Sequence, residues 1–80
     1  MSKIYYFSAP WCGPCKQLAP TMERSGLPFQ KVNVDEDQTL SAKYGIRNVP
    51  TLVKVDSSGN EISRLVGNNP LDKIKNWYNG

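Results

Sequence analysis

Between Ile4 and Met22 the spacing of apolar residues changes from that of a strand to that of a helix. Ile4-Tyr5-Tyr6-Phe7 is an unbroken apolar and aromatic run, with the length and residue types of a buried strand. From Cys15 onward the apolar residues fall at Cys15, Leu18, Ala19 and Met22, the i, i+3, i+4, i+7 stripe of an amphipathic helix. Gly26, with Pro28 just beyond, ends it. Pro20 lies inside the pattern and is expected to kink the helix or loosen a turn. Phe29 to Val34 then alternates as a second strand. This order is restrictive. A helix between two strands carries the chain back to the starting edge, so the strands pair in parallel.

The rest of the chain extends that unit. Asp35-Glu36-Asp37 suits a helix N-terminus, and a short helix follows through Leu40 and Tyr44 to Gly45. Thr51 to Val55 reads as a third strand, preceded by Val49-Pro50. Ser57-Ser58-Gly59-Asn60 is a turn, and Glu61 to Val66 is a fourth strand, closing an antiparallel hairpin. Asn69 is the expected cap of a last helix, with Pro70 in its first turn and Leu71, Ile74 and Tyr78 on its apolar face. The reading is an α/β fold of order βαβαββα: a four-stranded mixed sheet flanked by three helices, forming one domain over residues 1–80. Tyr5, Tyr6, Phe7 and Trp77 are expected in the core, with Tyr44 packing rather than recognising a ligand.

Charge excludes some functions. The formal net charge is +3, and the basic residues are scattered from Lys3 to Lys75 without a run. The basic stripe of a nucleic-acid-binding protein is missing, so no nucleic-acid partner is expected. No segment has the roughly 20 apolar residues of a membrane span. The opening MSKIYYFSAP has no apolar run or cleavage site of a signal peptide. The expected location is the cytoplasm, where permanent disulfides are rare. Nothing suggests a dimer seam, so a monomer is expected.

Both cysteines sit in Pro10-Trp11-Cys12-Gly13-Pro14-Cys15-Lys16. Three uses compete. As a structural staple, a four-residue loop contributes only about 2 kcal/mol before strain. As a zinc site, two cysteines without a histidine fall short of the usual four ligands, so no metal is expected. As a redox couple, the pair fits its setting. Cys12 lies where a helix begins, near unpaired backbone N–H groups that favour thiolate over thiol. Cys15, three residues on, is within its reach and falls on the apolar face, where it should be buried. Trp11 and Gly13 would bracket an accessible Cys12 sulfur.

The gain in reactivity from that setting is limited. A free thiol of pKa about 8.5 is a few per cent thiolate at pH 7. Lowering the pKa to about 7 raises the thiolate roughly fifteen-fold and cuts its intrinsic nucleophilicity roughly five-fold, a net gain of about three-fold. The larger benefit is a sulfur that also leaves well, with a second thiol held ready to displace it.

Ala9-Pro10-Trp11-Cys12-Gly13-Pro14-Cys15-Lys16 resembles the active-site signature of the thioredoxin family. Pro20, Val32-Asn33-Val34-Asp35, Lys43-Tyr44-Gly45-Ile46-Arg47, Val49-Pro50-Thr51 and Gly67 continue the resemblance in the same order along nearly the whole chain. The resemblance implies a thioredoxin-like fold and a dithiol–disulfide oxidoreductase that reduces protein disulfides without a bound cofactor. Cys12 would attack a target disulfide, and Cys15 would resolve the mixed disulfide, leaving a Cys12–Cys15 bridge. Gly13 and Pro14 would set the spacing of the pair. The Val49–Pro50 peptide would be cis, exposing the Val49 backbone to an extended substrate segment. Trp11, Val49 and Gly67 would border the substrate groove. Lys31 and Lys16 would supply favourable charge, although Lys16 also reads as an ordinary solvated residue. The implied partners are an NADPH-dependent thioredoxin reductase and disulfide-containing proteins such as ribonucleotide reductase.

The sequence departs from the family pattern in three ways. It begins at the central strand, without the usual N-terminal strand and helix, at about the size of a glutaredoxin. Tyr6 stands where the family has a buried aspartate thought to move the proton of the resolving thiol, although Lys31, matching that acid's lysine neighbour, is present. Ser8 stands where a tryptophan is usual. Without the acid, Cys15 is expected to lose its proton through water or to the departing thiolate.

Two alternatives stay open. One is a glutaredoxin-like protein reduced by glutathione, using Gly67, Asn68, Asn69 and Asp72. Trp11 and the Gly13-Pro14 pair argue against it. The other is a non-catalytic accessory subunit of the same fold, with the surface around Trp11 binding a partner.

Overall fold

A computed structural model describes residues 2–80. The elements are β1 (Lys3–Ser8), α1 (Gly13–Ser25), β2 (Phe29–Asn33), α2 (Gln38–Lys43), β3 (Thr51–Val55), β4 (Glu61–Val66) and α3 (Leu71–Asn79). The order is the expected βαβαββα. One mixed sheet runs β2-β1-β3-β4. β1 pairs parallel with β2 and antiparallel with β3, and β4 pairs antiparallel with β3 through a register shift at Lys54/Val55.

β1 reads as a continuous apolar run because both of its faces are covered. Ile4 and Tyr6 point to one face, where Leu18 and Met22 of α1, Ile74 of α3 and Leu52 pack on them. Phe7 points to the other face, among Val32, Tyr44, Val53 and Val55, with Tyr5 and Leu40 against them. The expected core residues are in place: Tyr6 and Phe7 are fully buried, Tyr44 is buried, and Tyr5 and Trp77 pack from partly buried positions.

Helix ends follow the sequence closely at α1 and less so at α3. Gly26 caps the C-terminus of α1 at φ 70°, a left-handed conformation open to glycine. α1 continues through Pro20. Lys16, whose carbonyl loses a partner to the missing Pro20 N–H, is exposed like Pro20 itself, so water can replace that bond. The expected role of Asn69 as cap of α3 is corrected. Pro70 occupies the cap position in extended conformation, and the first helical bond runs from Ile74 N–H to the Pro70 carbonyl. The Asn69 amide donates instead to the Val66 and Gly67 carbonyls, at 3.1 and 3.0 Å. Turning the chain out of β4 leaves those two carbonyls facing Asn69, and its NH2 group holds the side chain there, while α3 has no side-chain cap bond.

Candidate redox site

Parallel pairing puts the C-terminal ends of β1 and β2 side by side, with Ser8 opposite Asn33. The segments that leave them, Ala9–Cys12 and Val34–Asp37, therefore meet at one edge of the sheet. The loop before β3 arrives at the same place, carrying Val49 and the cis Val49–Pro50 peptide.

Cys12 and Cys15 are joined in a disulfide, with their Cα atoms 5.2 Å apart. Cys12 is the N-cap of α1, and its sulfur accepts the Cys15 backbone N–H at 3.2 Å. That N–H is one of the donors a helix start leaves without a backbone partner. The same geometry would stabilise a Cys12 thiolate, since a charged acceptor gains more from the bond than a neutral one. Pro14 fits the first turn, where no backbone N–H is needed.

The Cys12 sulfur lies 3.6 Å from the Val49 carbonyl oxygen. A disulfide sulfur carries no proton, so this is a contact here; in the dithiol the same oxygen can accept from the thiol. The expectation of an accessible Cys12 is corrected. Cys12 is only 5% exposed and Cys15 3%, because Ala9, Val34 and Val49 pack around the bonded pair.

Trp11 is 69% exposed, a surface residue rather than a core one. Its indole N–H donates to Asp35 Oδ2 at 3.0 Å, which ties it across the site. Gly67 comes to the cis peptide: its N–H donates to the Pro50 carbonyl at 2.9 Å. Trp11, Cys12, Val49, Pro50 and Gly67 thus assemble from separate stretches of chain. Gly13 and Pro14 are exposed at the start of α1, and an added Cβ at Gly13 would meet nothing.

Beside Cys15 the surface opens into a cleft of about 610 Å³. Ser8, Lys16, Lys31, Asn33 and Glu36 line it together with Cys15. Both lysines singled out from the sequence therefore reach the site, on the Cys15 side. The Tyr6 hydroxyl donates to the Cys15 carbonyl at 2.6 Å inside the core, and burial raises the phenol's pKa further above its already high ordinary value. At neutral pH it is a donor and not a base.

Sequence reasoning did not find Asp35 or Glu36 as site residues; it read both as helix-start acids. Asp37 holds that role, accepting the Leu40 N–H at 2.9 Å. The clue was positional. Residues just past the ends of neighbouring parallel strands share one edge, as ligand-binding residues of open α/β sheets do. The residues of the glutathione alternative are partly committed elsewhere. The Asn68 amide donates to Gln17 Oε1 at 3.1 Å, and Asn69 is spent on its own turn. Among the described residues no group of His, Cys, Asp or Glu is placed to hold a metal ion, and no helix is long and apolar enough to cross a membrane.

The thioredoxin family model matches residues 2–80. A thioredoxin of Haemophilus influenzae is 37% identical over 79 residues, which cover 91% of this chain and 73% of that protein. A thioredoxin of Bacillus subtilis is 38% identical over 79 residues, covering 91% and 75%. Among solved structures, a mutant thioredoxin from Halobacterium salinarum superposes with a TM-score of 0.87 at 36% identity, over 96% of this chain and 71% of that one. Fasciola hepatica thioredoxin gives 0.87 at 32% identity, over 98% and 78%.

Proposed function

The chain belongs to the thioredoxin family and is a dithiol–disulfide oxidoreductase, and we propose that Cys12 is its nucleophile and Cys15 its resolving thiol. The observation that carries this assignment is the bonded pair at the start of α1, where the Cys15 N–H points at the Cys12 sulfur. Only the first cysteine of the pair has that donor, so charge is best held on Cys12.

In the reduced protein the Cys12 thiolate attacks one sulfur of a target disulfide. The S–S bond breaks, a Cys12–target disulfide forms, and the first target thiolate leaves and takes a proton from solvent. Cys15 loses its proton and attacks the Cys12 sulfur. The second target thiolate leaves and is protonated in turn. Two electrons and two protons pass to the target, and the Cys12–Cys15 bridge remains. Gly13 and Pro14 keep the two cysteines one helical turn apart, and Lys16 and Lys31 favour the anionic form of Cys15 from the cleft.

Trp11, Val49 and Gly67 border the groove for the target segment. The Val49 carbonyl offers backbone pairing beside the reacting sulfur, and the indole is held in position by Asp35. The chain acts as a single domain, as a monomer, in the cytoplasm and without a bound cofactor. Its substrates are disulfide-containing proteins such as ribonucleotide reductase, and its reductant is an NADPH-dependent thioredoxin reductase. Of the residues the glutathione alternative uses, Asn68 and Asn69 already have their side-chain amides bonded within the chain.

The test is recycling. The oxidised protein is incubated with NADPH and a thioredoxin reductase, and separately with glutathione, and free thiols are counted over time. Two thiols are expected to appear rapidly with the reductase and slowly with glutathione. Rapid recovery with glutathione alone would overturn the assignment of the reductant.

A further inference from the structure

We infer that Glu36 is the proton acceptor for Cys15, working through water in the cleft that the two residues line. The inference rests on the assignment of Cys15 as the resolving thiol. The resolving step needs a Cys15 thiolate, and among the described residues the core side of Cys15 offers no base. The residue there is Tyr6, whose hydroxyl is committed as a donor to the Cys15 carbonyl and whose phenol is held protonated by burial. The route through water then runs on the other side.

That side is open and polar. The cleft holds about 610 Å³, many times the roughly 30 Å³ that one water occupies, so a water chain fits between its walls. Its charged groups are Lys16 from α1, Lys31 from β2 and Glu36 from the segment after β2; β1 and the segment after it add only the uncharged Ser8, Ala9 and Pro10. Among the residues lining it, Glu36 carries the one carboxylate. Its two acidic neighbours are engaged elsewhere, Asp35 with the Trp11 indole and Asp37 with the start of α2. The Asn33 amide lies 3.4 Å from Glu36 Oε1 and orients the group, leaving Oε2 without a donor among the described residues. The proton passes from the Cys15 thiol to water, and from water to the Glu36 carboxylate. The carboxylic acid so formed returns it to bulk solvent, while the Cys15 thiolate attacks the Cys12 sulfur and the target thiolate leaves. Glu36 is therefore a positioning and proton-accepting residue that never touches the reacting sulfurs.

The role has a signature opposite in sign to a plain charge effect. Removing a negative charge near Cys15 favours the thiolate, so simple electrostatics makes Glu36→Gln resolve faster. Loss of a proton acceptor makes it resolve more slowly. The experiment follows a single turnover of the reduced protein with excess dithiobis(nitrobenzoate). Cys12 attack releases the first nitrothiobenzoate, and Cys15 resolution releases the second. Glu36→Gln is expected to leave the first phase unchanged and slow the second by about five- to tenfold at pH 7. That is below the ~10²–10⁴ of a directly bonded base, because water intervenes. The difference should vanish near pH 10, where hydroxide ionises Cys15 directly. Equal or faster second phases at pH 7, a deficit that persists unchanged at pH 10, or an equal slowing of the first phase would each overturn the inference. A Cys15→Ser control separates it from the assignment beneath it: if that variant still releases the second nitrothiobenzoate without excess thiol, the assignment of Cys15 itself fails.

Discussion

The Tyr6 hydroxyl donates to the Cys15 carbonyl at 2.6 Å, joining the central strand to the first turn of the redox helix inside the core. The bond spans only nine residues of chain, yet it links the two elements that flank the active-site loop. It gives the position a structural use in place of an acid–base one. Tyr6→Phe should therefore cost stability and spare chemistry. The expected loss is about 1 kcal/mol in urea unfolding, the net worth of one buried hydrogen bond. The alkylation rate of Cys12 in the reduced protein should stay within experimental error of the parent. A tenfold slower alkylation with unchanged stability would show that the hydroxyl acts on the thiolate instead. Tyr6→Asp is the converse change. It should speed resolution at neutral pH by supplying a base on the core side, at a stability cost of about 3–5 kcal/mol for the cavity left by the ring.

Asp35 holds the indole of a residue that is otherwise mostly exposed. Its contribution should appear in substrate recognition more than in folding. Asp35→Ala is expected to raise KM for a disulfide-containing protein by about three- to tenfold, the equivalent of one hydrogen bond of about 1 kcal/mol. kcat should be unchanged, and the unfolding midpoint nearly so. A fall in kcat at constant KM would place Asp35 in the chemical step instead.

Much of this site was legible in the sequence. The strand–helix–strand order, the stripe through Leu18 and Met22 and the position of Cys12 at a helix start all depend on local spacing, which the chain displays directly. The Trp11–Asp35 bond does not, because its partners lie 24 residues apart and meet only once β1 and β2 pair in register. Glu36 was hidden for the same reason: three acids in a row before a helix satisfy a capping role by composition alone, and only the fold shows that Asp37 fills it. Asn69 went the other way. A cap residue next to a proline is a sound local signal, but the Val66 and Gly67 carbonyls hold the Asn69 NH2 group in the turn after β4, and α3 starts from Pro70 with no side-chain cap bond.

Acid should weaken the hairpin between β3 and β4. The Asp56 carboxylate accepts backbone N–H bonds from Asn60 and Ser58, both at 2.9 Å, and its pKa lies below the ordinary value, chiefly through the Asn60 bond. Glu61 is lowered by its hydrogen bonds from Arg64, which reach 2.6 Å. For both groups the folded pKa is depressed, so the unfolded chain binds more protons in acid. Their stabilisation is fully present above the unfolded values near pH 4 and is lost as pH falls through the folded ones. Urea midpoints should be flat above about pH 5 and drop below about pH 4. In Asp56→Asn the side-chain oxygen can still accept the turn N–H bonds but no longer titrates, so the acid drop should be shallower. An unchanged slope in that variant would remove Asp56 from the account.

The division of labour between the two cysteines is the claim on which the rest depends, and trapping tests it most directly. Reduced Cys12→Ser and Cys15→Ser proteins are each mixed with an oxidised disulfide-containing protein and the products weighed by mass spectrometry. The expected result is a stable covalent adduct through Cys12 in the Cys15→Ser protein and little or none in Cys12→Ser. An adduct that accumulates through Cys15 in the Cys12→Ser protein, with none in the other, would contradict it.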